Sequence, residues 1–194
     1  MNSFENLAQI IHQRRSIKPA QMNGKKIHDT DIEELIALAD LAPTHGHTEP
    51  WRFIIYSGIA LQNFCTHFSD LYKKYQAAEK FNPSKYEKMQ AWPSQASHLI
   101  ITYMHAGTNP KIPEQEERAA VAAAIEHILL GATAKGIASF WSTTFPIYHN
   151  AFKDYLELSE NDAPMGLLFL GYADISFQPT KRNITLKEKF LWRK

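Results

Sequence analysis

The chain is 194 residues long, 44% hydrophobic and 21% charged, an ordinary globular composition. A chain of this length can bury roughly 70% of the surface that it exposes when unfolded, so its core needs neither disulfides nor a structural metal. Lys plus Arg number 21 and Asp plus Glu 20, and the formal charge of +1 gives no basis for a protein that coats nucleic acid or a membrane surface.

The single cysteine, Cys65, has no internal disulfide partner and suits a reducing compartment. Residues 1–13 lack the pattern of a signal peptide, and no run approaches the ~20 apolar residues that span a bilayer. One cytoplasmic domain over residues 1–194 is therefore expected.

Ser3 can cap a first helix whose apolar residues Phe4, Leu7, Ile10 and Ile11 share a face, and this helix runs into the basic cluster Arg14-Arg15-Ser16-Ile17-Lys18. Pro19 and Gly24 mark a loop. Thr30 and Glu33 have capping-box spacing for a second helix, with the stripe Ile32, Leu35, Ile36 and Ala39, that stops near Pro43. Residues 43–50 hold too many breakers for a helix or strand, and Trp51–Tyr56 reads as a strand. Residues 61–80 read as a helix with Leu61, Phe64, Phe68, Leu71 and Tyr75 on one face. Phe81–Ser97, aromatic and broken by prolines, reads as a mobile excursion.

Leu99–Met104 is a β-rich run, and Glu114–Lys135 is a long alanine-rich helix stopped by Gly136. Ile137–Trp141 reads as a short strand, Ile147–Leu158 as a helix, and Met165–Gly171 as a buried strand before a polar tail. Without repeats or low-complexity tracts, this order reads as an α+β or three-layer domain rather than a strict βαβ alternation.

Several groups could carry chemistry. Two arginines, a serine and a lysine within residues 14–18 can converge on one phosphate, because guanidinium forks match phosphate oxygens and lysine adds a point charge. Taken alone, a solvated basic helix end is the commoner explanation of such a cluster. Lys181-Arg182 could fold back over a ligand, or solubilise the tail. His45, His47 and Glu49 could hold a metal with an open position for water, but hydrogen-bonded loop histidines are more common at such a bend, and no metal is expected.

Gly131–Gly136 lies inside the alanine-rich helix and is not followed by the Lys-Ser or Lys-Thr of a phosphate loop. There is no nucleophile elbow, and Cys65 has no basic neighbour that would lower its pKa. Trp141, Ser142 and Thr143 could line a planar aromatic ligand or belong to a plain buried strand.

In order along the chain, these segments resemble the nitroreductase family of flavoproteins. Arg14-Arg15-Ser16-Ile17-Lys18 resembles the family's R-[RH]-S-x-[RK] motif, and Ala42-Pro43 through Glu49-Pro50-Trp51-Arg52-Phe53 resembles its A-P-S…N-x-Q-P-W-x-F segment. Lys135-Gly136-Ile137-Ala138-Ser139-Phe140-Trp141 resembles its G-[LI]-G-S-x-W stretch. Leu168-Phe169-Leu170-Gly171-Tyr172 with Lys181-Arg182 resembles its G-Y-P…K-x-R ending. The short chain looks most like the compact branch that contains the YdjA-type reductases.

The resemblance implies a three-layer α/β/α fold with a mainly antiparallel central sheet, and a homodimer with FMN at its interface. It also implies a two-step reaction in which NADH or NADPH reduces the flavin and a nitroaromatic, quinone or related small-molecule acceptor reoxidises it. The flavin then carries the hydride chemistry, which accounts for the missing acid/base dyad.

Position by position, Arg14 and Ser16 would hold the FMN phosphate or ribityl chain, with Arg15 adding backbone contacts. Lys18 would lie by the N1 and C2 carbonyl edge. His45 and His47 would contact flavin, Trp141, Ser142 and Thr143 would line it, and Lys181 or Arg182 would close over the phosphate. Gly131, Ala132, Thr133, Ala134, Lys135 and Gly136 match a segment associated with the nicotinamide cofactor, and Phe81–Trp92 would be a lid.

Three residues depart from the pattern: His47 replaces Asn, Glu49 replaces Gln, and Ala173 replaces Pro. The first two leave open a flavin-binding protein that stores, delivers or senses FMN without turnover.

Overall fold

The computed structural model describes residues 2–174 and 182–194. Its helices are α1 (Ser3–Gln13), α2 (Asp29–Ala39), α3 (Gly58–Tyr75), α4 (Pro83–Gln95), α5 (Glu114–Ala134) and α6 (Asn150–Tyr155). The strands are β1 (Trp51–Ser57), β2 (His98–His105), β3 (Ala138–Ser142) and β4 (Asp162–Gly171). They form one sheet in the order β1-β2-β4-β3, with every neighbouring pair antiparallel.

The two central strands are apolar on both faces, and the side-chain period of two divides them between two cores. Ile100, Leu168 and Leu170 join Ile32, Leu35, Val121, Ile125 and Ile128, beneath α2 and α5. Leu99, Ile101, Leu167 and Phe169 join Phe64, Phe68, Met89 and Phe152, beneath α3, α4 and α6. The result is the α/β/α three-layer arrangement that the resemblance implies.

Four local expectations are corrected. The N-cap of α1 is Asn2, whose side chain accepts from the Glu5 N–H while the Glu5 carboxylate accepts from the Asn2 N–H, so Ser3 is already inside the helix. Helix α2 begins at Asp29, ahead of the Thr30 and Glu33 capping pair. There, buried His98 bridges the Ser97 hydroxyl and the Asp29 carboxylate, and the Ile27 N–H donates to Ser97 Oγ. A tertiary anchor thus replaces the local cap.

Residues 83–95 are helical rather than a mobile excursion. Asn82 caps α4, Pro83 occupies the first turn where its missing N–H costs nothing, and Met89 is fully buried. Trp92 packs on Phe68 and Phe169, and Phe81 on Tyr72, so one face of this stretch belongs to a core layer. Helix α6 is shorter than residues 147–158, because Ile147 is buried in the turn that precedes it.

Gly166 lets β3 close against β4. A Cβ there would overlap the indole of Trp141, whose Nε1–H donates to the Met165 carbonyl at 3.1 Å.

At the start of β4, the Asp162 side chain accepts from the Ser159 N–H and hydroxyl, both at 2.7 Å, and pairs with His105 Nδ1 at 2.6 Å. Burial pushes this carboxyl up, but the hydrogen bonds from His105 and Ser159 outweigh it and hold the group below its ordinary value. A depressed carboxyl stabilises the fold fully above its unfolded-state value, near 3.9, and ceases to do so as pH falls through the folded value. Asp162→Asn is expected to cost about 1–3 kcal/mol at pH 7 in urea unfolding. The gap from wild type should narrow below about pH 4. Equal stabilities at pH 7 would contradict this account.

Candidate active site

The basic segment leaves α1 and is stitched to the edge strand β3. The Ile17 N–H donates to the Ser139 carbonyl at 2.8 Å, and Ser16 and Ser139 form a parallel bridge. Buried Ile17 anchors the segment, while Ser16 and Lys18 face outward.

Arg14 is half-buried and lies 3.5 Å from the Glu126 carboxylate of α5. Arg15 donates through Nη1 to the carbonyls of His12 and Arg14. Lys18 is exposed and has no ion-pair partner among the described residues. A cleft of about 160 Å³ opens between Arg15, Ile17, Thr133 and Gly136–Ala138. Further along the same strand, Trp141 is half-buried and Ser142 is buried, and Thr143 just after it is exposed. The structure therefore gathers Arg14–Lys18 and the Gly136–Thr143 stretch around β3.

It does not bring His45 or His47 to this place. The loop after α2 contains a short turn, His45–His47, in which Gly46, His47 and Glu49 have φ of 60°, 55° and 45°. Left-handed backbone at two non-glycine residues is uncommon and is maintained only where surrounding contacts impose it. The start of α5 supplies those contacts. His45 Nδ1 pairs with Glu116 Oε2 at 2.5 Å, and Gly46 packs so tightly on Ile112 that a Cβ would clash. Thr48 lies against Gly107, whose N–H donates to buried Glu117 at 2.8 Å.

The basic segment meets α5 at Glu126 and the loop meets it at Glu116. Ten residues of helix separate these points, about 15 Å at 1.5 Å per residue. One chain thus presents two separate polar clusters along α5, one cationic and one on a strained loop.

The Gly131–Gly136 segment divides. Gly131 and Ala132 are buried, and a Cβ on Gly131 would press into Leu35 and Leu38 of α2, so this glycine serves close helix packing. Thr133 is half-buried, while Ala134, Lys135 and Gly136 are exposed. Hydrogen bonds to Asp31 and Glu34 raise the Lys135 ammonium above its ordinary value. Arg182 is exposed in the tail, and Lys181 lies outside the described residues.

Among the described residues, no group of three or more His, Cys, Asp or Glu is placed to hold a metal, and no helix is long and apolar enough to cross a membrane. Burial pushes the Cys65 thiol up to about 12, so it is inert at neutral pH. The residues that sequence reasoning missed are Glu116, Glu126 and Ser139. Each acts through a partner distant in sequence, and no local pattern marks it.

Helix α1 has no buried residue, although Phe4, Leu7 and Ile11 line one side of it. Leu7 and Ile10, with Leu38 of α2, Leu41 just after it and Leu130 of α5, border an exposed apolar groove of about 330 Å³.

Residues 11–172 match the sequence model of the Nitroreductase family. A protein of Archaeoglobus fulgidus named "Putative NADH dehydrogenase/NAD(P)H nitroreductase" is 28% identical over 174 residues, covering 87% of this chain and 86% of its own. The crystal structure of a nitroreductase-like family protein from Bacillus cereus superposes with a TM-score of 0.80 at 22% identity, covering 100% of this chain and 98% of the other. The FMN-dependent nitroreductase NfnB from Mycobacterium smegmatis, solved in complex with NADPH, gives 0.76 at 15% identity with both chains fully covered. At these identities the structural matches speak for the fold.

Proposed function

The chain is a member of the nitroreductase family, and on that premise we propose that it is an FMN-dependent oxidoreductase, oxidising NADH or NADPH and reducing a nitroaromatic, quinone or related acceptor in two steps. The observation that carries this reading is the cationic cluster on β3. Arg14, Ser16 and Lys18 offer guanidinium, hydroxyl and ammonium donors of the kind that a phosphate monoester and an electron-rich pyrimidine edge require. The donor set fits FMN.

In this reading Arg14 and Ser16 hold the phosphate and ribityl chain, with Arg15 bracing the backbone of that segment. Lys18 sets a positive charge beside the pyrimidine edge, where it stabilises negative charge gained on reduction. Trp141, Ser142 and Thr143 line the ring system, and Lys181 or Arg182 closes over the phosphate. Thr133, Ala134, Lys135 and Gly136 are the members of the nicotinamide-associated segment with accessible surface. Bound FMN supplies hydride acceptance and donation at N5, and the chain supplies binding, orientation and charge.

The two clusters along α5 support a site built by two chains, the cationic one from one protomer and the His45 loop from its partner. The exposed apolar groove beside α1 supports a twofold dimer closed over that face. The chain fits the compact YdjA-type branch and a cytoplasmic setting, where its lone thiol stays reduced.

Titration of purified protein with FMN should saturate at one flavin per chain. The loaded protein should then oxidise NADH or NADPH when a quinone or nitroaromatic is supplied. Flavin binding without such turnover would favour a storage or sensing role, the reading that Glu49 and His47 raise.

A further inference from the structure

His45 is the first residue of the strained turn, and its imidazole is largely exposed, with 62% of the side-chain surface open. An exposed ring with no partner would sample several rotamers and both tautomers, and binding a ligand would have to freeze it. Three acids lie in the first turn of α5. Glu114 is engaged by Arg118 at 2.6 Å, and Glu117 is buried and engaged by the Gly107 N–H. Only Glu116 is turned to the loop, where its Oε2 sits 2.5 Å from His45 Nδ1.

The other charged groups around this turn are His47 within it, Glu49 just after it and Lys111 just before α5. Arg52 of β1 also approaches, donating to the Glu49 and Trp51 carbonyls.

We propose that Glu116 is a positioning residue for His45, taking its Nδ1–H and thereby fixing both ring and tautomer so that Nε2 is the atom offered to the flavin. A carboxylate can only accept, so the bonded nitrogen carries the hydrogen, and the neutral ring keeps its other nitrogen as an acceptor. When the ring is protonated, the same bond holds and Nε2 becomes a donor. The inference rests on the flavin reading above and adds the residue that prepares the loop half-site. An exposed ion pair of this kind contributes little to folding, so its removal leaves the fold standing.

The test combines two readouts. In flavin-free, 15N-histidine-labelled protein at alkaline pH, with the His45 signals assigned by their loss in His45→Gln, hydrogen should reside on Nδ1 in wild type and in Glu116→Gln, whose amide oxygen still accepts. Glu116→Ala should shift the ring toward the Nε2–H form. In FMN titrations Glu116→Ala should bind about tenfold more weakly, while Glu116→Gln should stay within about threefold of wild type.

An Nε2–H ring in wild type overturns the proposal. Unchanged FMN affinity in Glu116→Ala overturns the positioning role alone, whereas failure of wild type itself to bind FMN overturns the flavin reading and with it the destination of Nε2.

Discussion

In the proposed twofold dimer, Leu7→Asp should weaken self-association about ten- to hundredfold. Leu7 lies half-exposed in the middle of the apolar side of α1, a helix that buries none of its own residues, and it borders the groove formed with Leu38, Leu41 and Leu130. Burying one leucine is worth about 1.5–3 kcal/mol. Leu7 already has half of its surface covered, so an interface over the rest gains about half of this; carried on both subunits of a twofold interface the loss is about 1.5–3 kcal/mol per dimer, or roughly ten- to hundredfold in dissociation constant. Sedimentation equilibrium reads the change directly. Because the cationic segment and the His45 loop would then no longer meet, FMN affinity should fall along with self-association. A wild-type monomer, or a Leu7→Asp protein that dimerises as before, would contradict the two-chain site.

Arg14→Ala should weaken FMN binding about ten- to hundredfold. A charge-assisted hydrogen bond to phosphate is worth about 1.5–3 kcal/mol, and Arg14 is held in place by Glu126 rather than left to search. Its removal leaves Glu126 half-exposed, so the surface pair should cost the fold no more than about 1 kcal/mol. Fluorescence quenching of FMN measures the affinity, and thermal unfolding confirms the intact fold. Unchanged affinity would return the cluster to an ordinary solvated helix end.

What the sequence revealed follows from how local each signal is. Leu99–Met104 and Met165–Gly171 are legible as central strands, because both of their faces are apolar and no other element needs that pattern. The alanine-rich helix is legible with its stop at Gly136, whose φ of 70° suits glycine.

Helix α4 is hidden because Pro83 and Pro93 look like breakers, yet one sits in the first turn and the other in the last. The capping assignments failed at α1 because Asn2 is the better-placed acceptor, and at α2 because the anchor is His98, 69 residues from Asp29.

The basic motif was legible in its residues but not in its setting, since the strand that receives it, through Ser139, lies 123 residues beyond Ser16. The His45–Glu116 pair spans 71 residues and has no local mark. The separation of the two clusters depends on the length of α5 and on which residues of α5 each segment meets, and a linear pattern encodes neither.

The central claim is that this chain binds FMN and uses it to accept hydride from a nicotinamide cofactor. The visible absorption spectrum of FMN-loaded protein, recorded anaerobically before and after NADH or NADPH, tests it most directly. A protein-bound flavin band that bleaches on addition and returns with a quinone or nitroaromatic is the predicted result. A band that persists after both NADH and NADPH, or no bound flavin after loading, would contradict it.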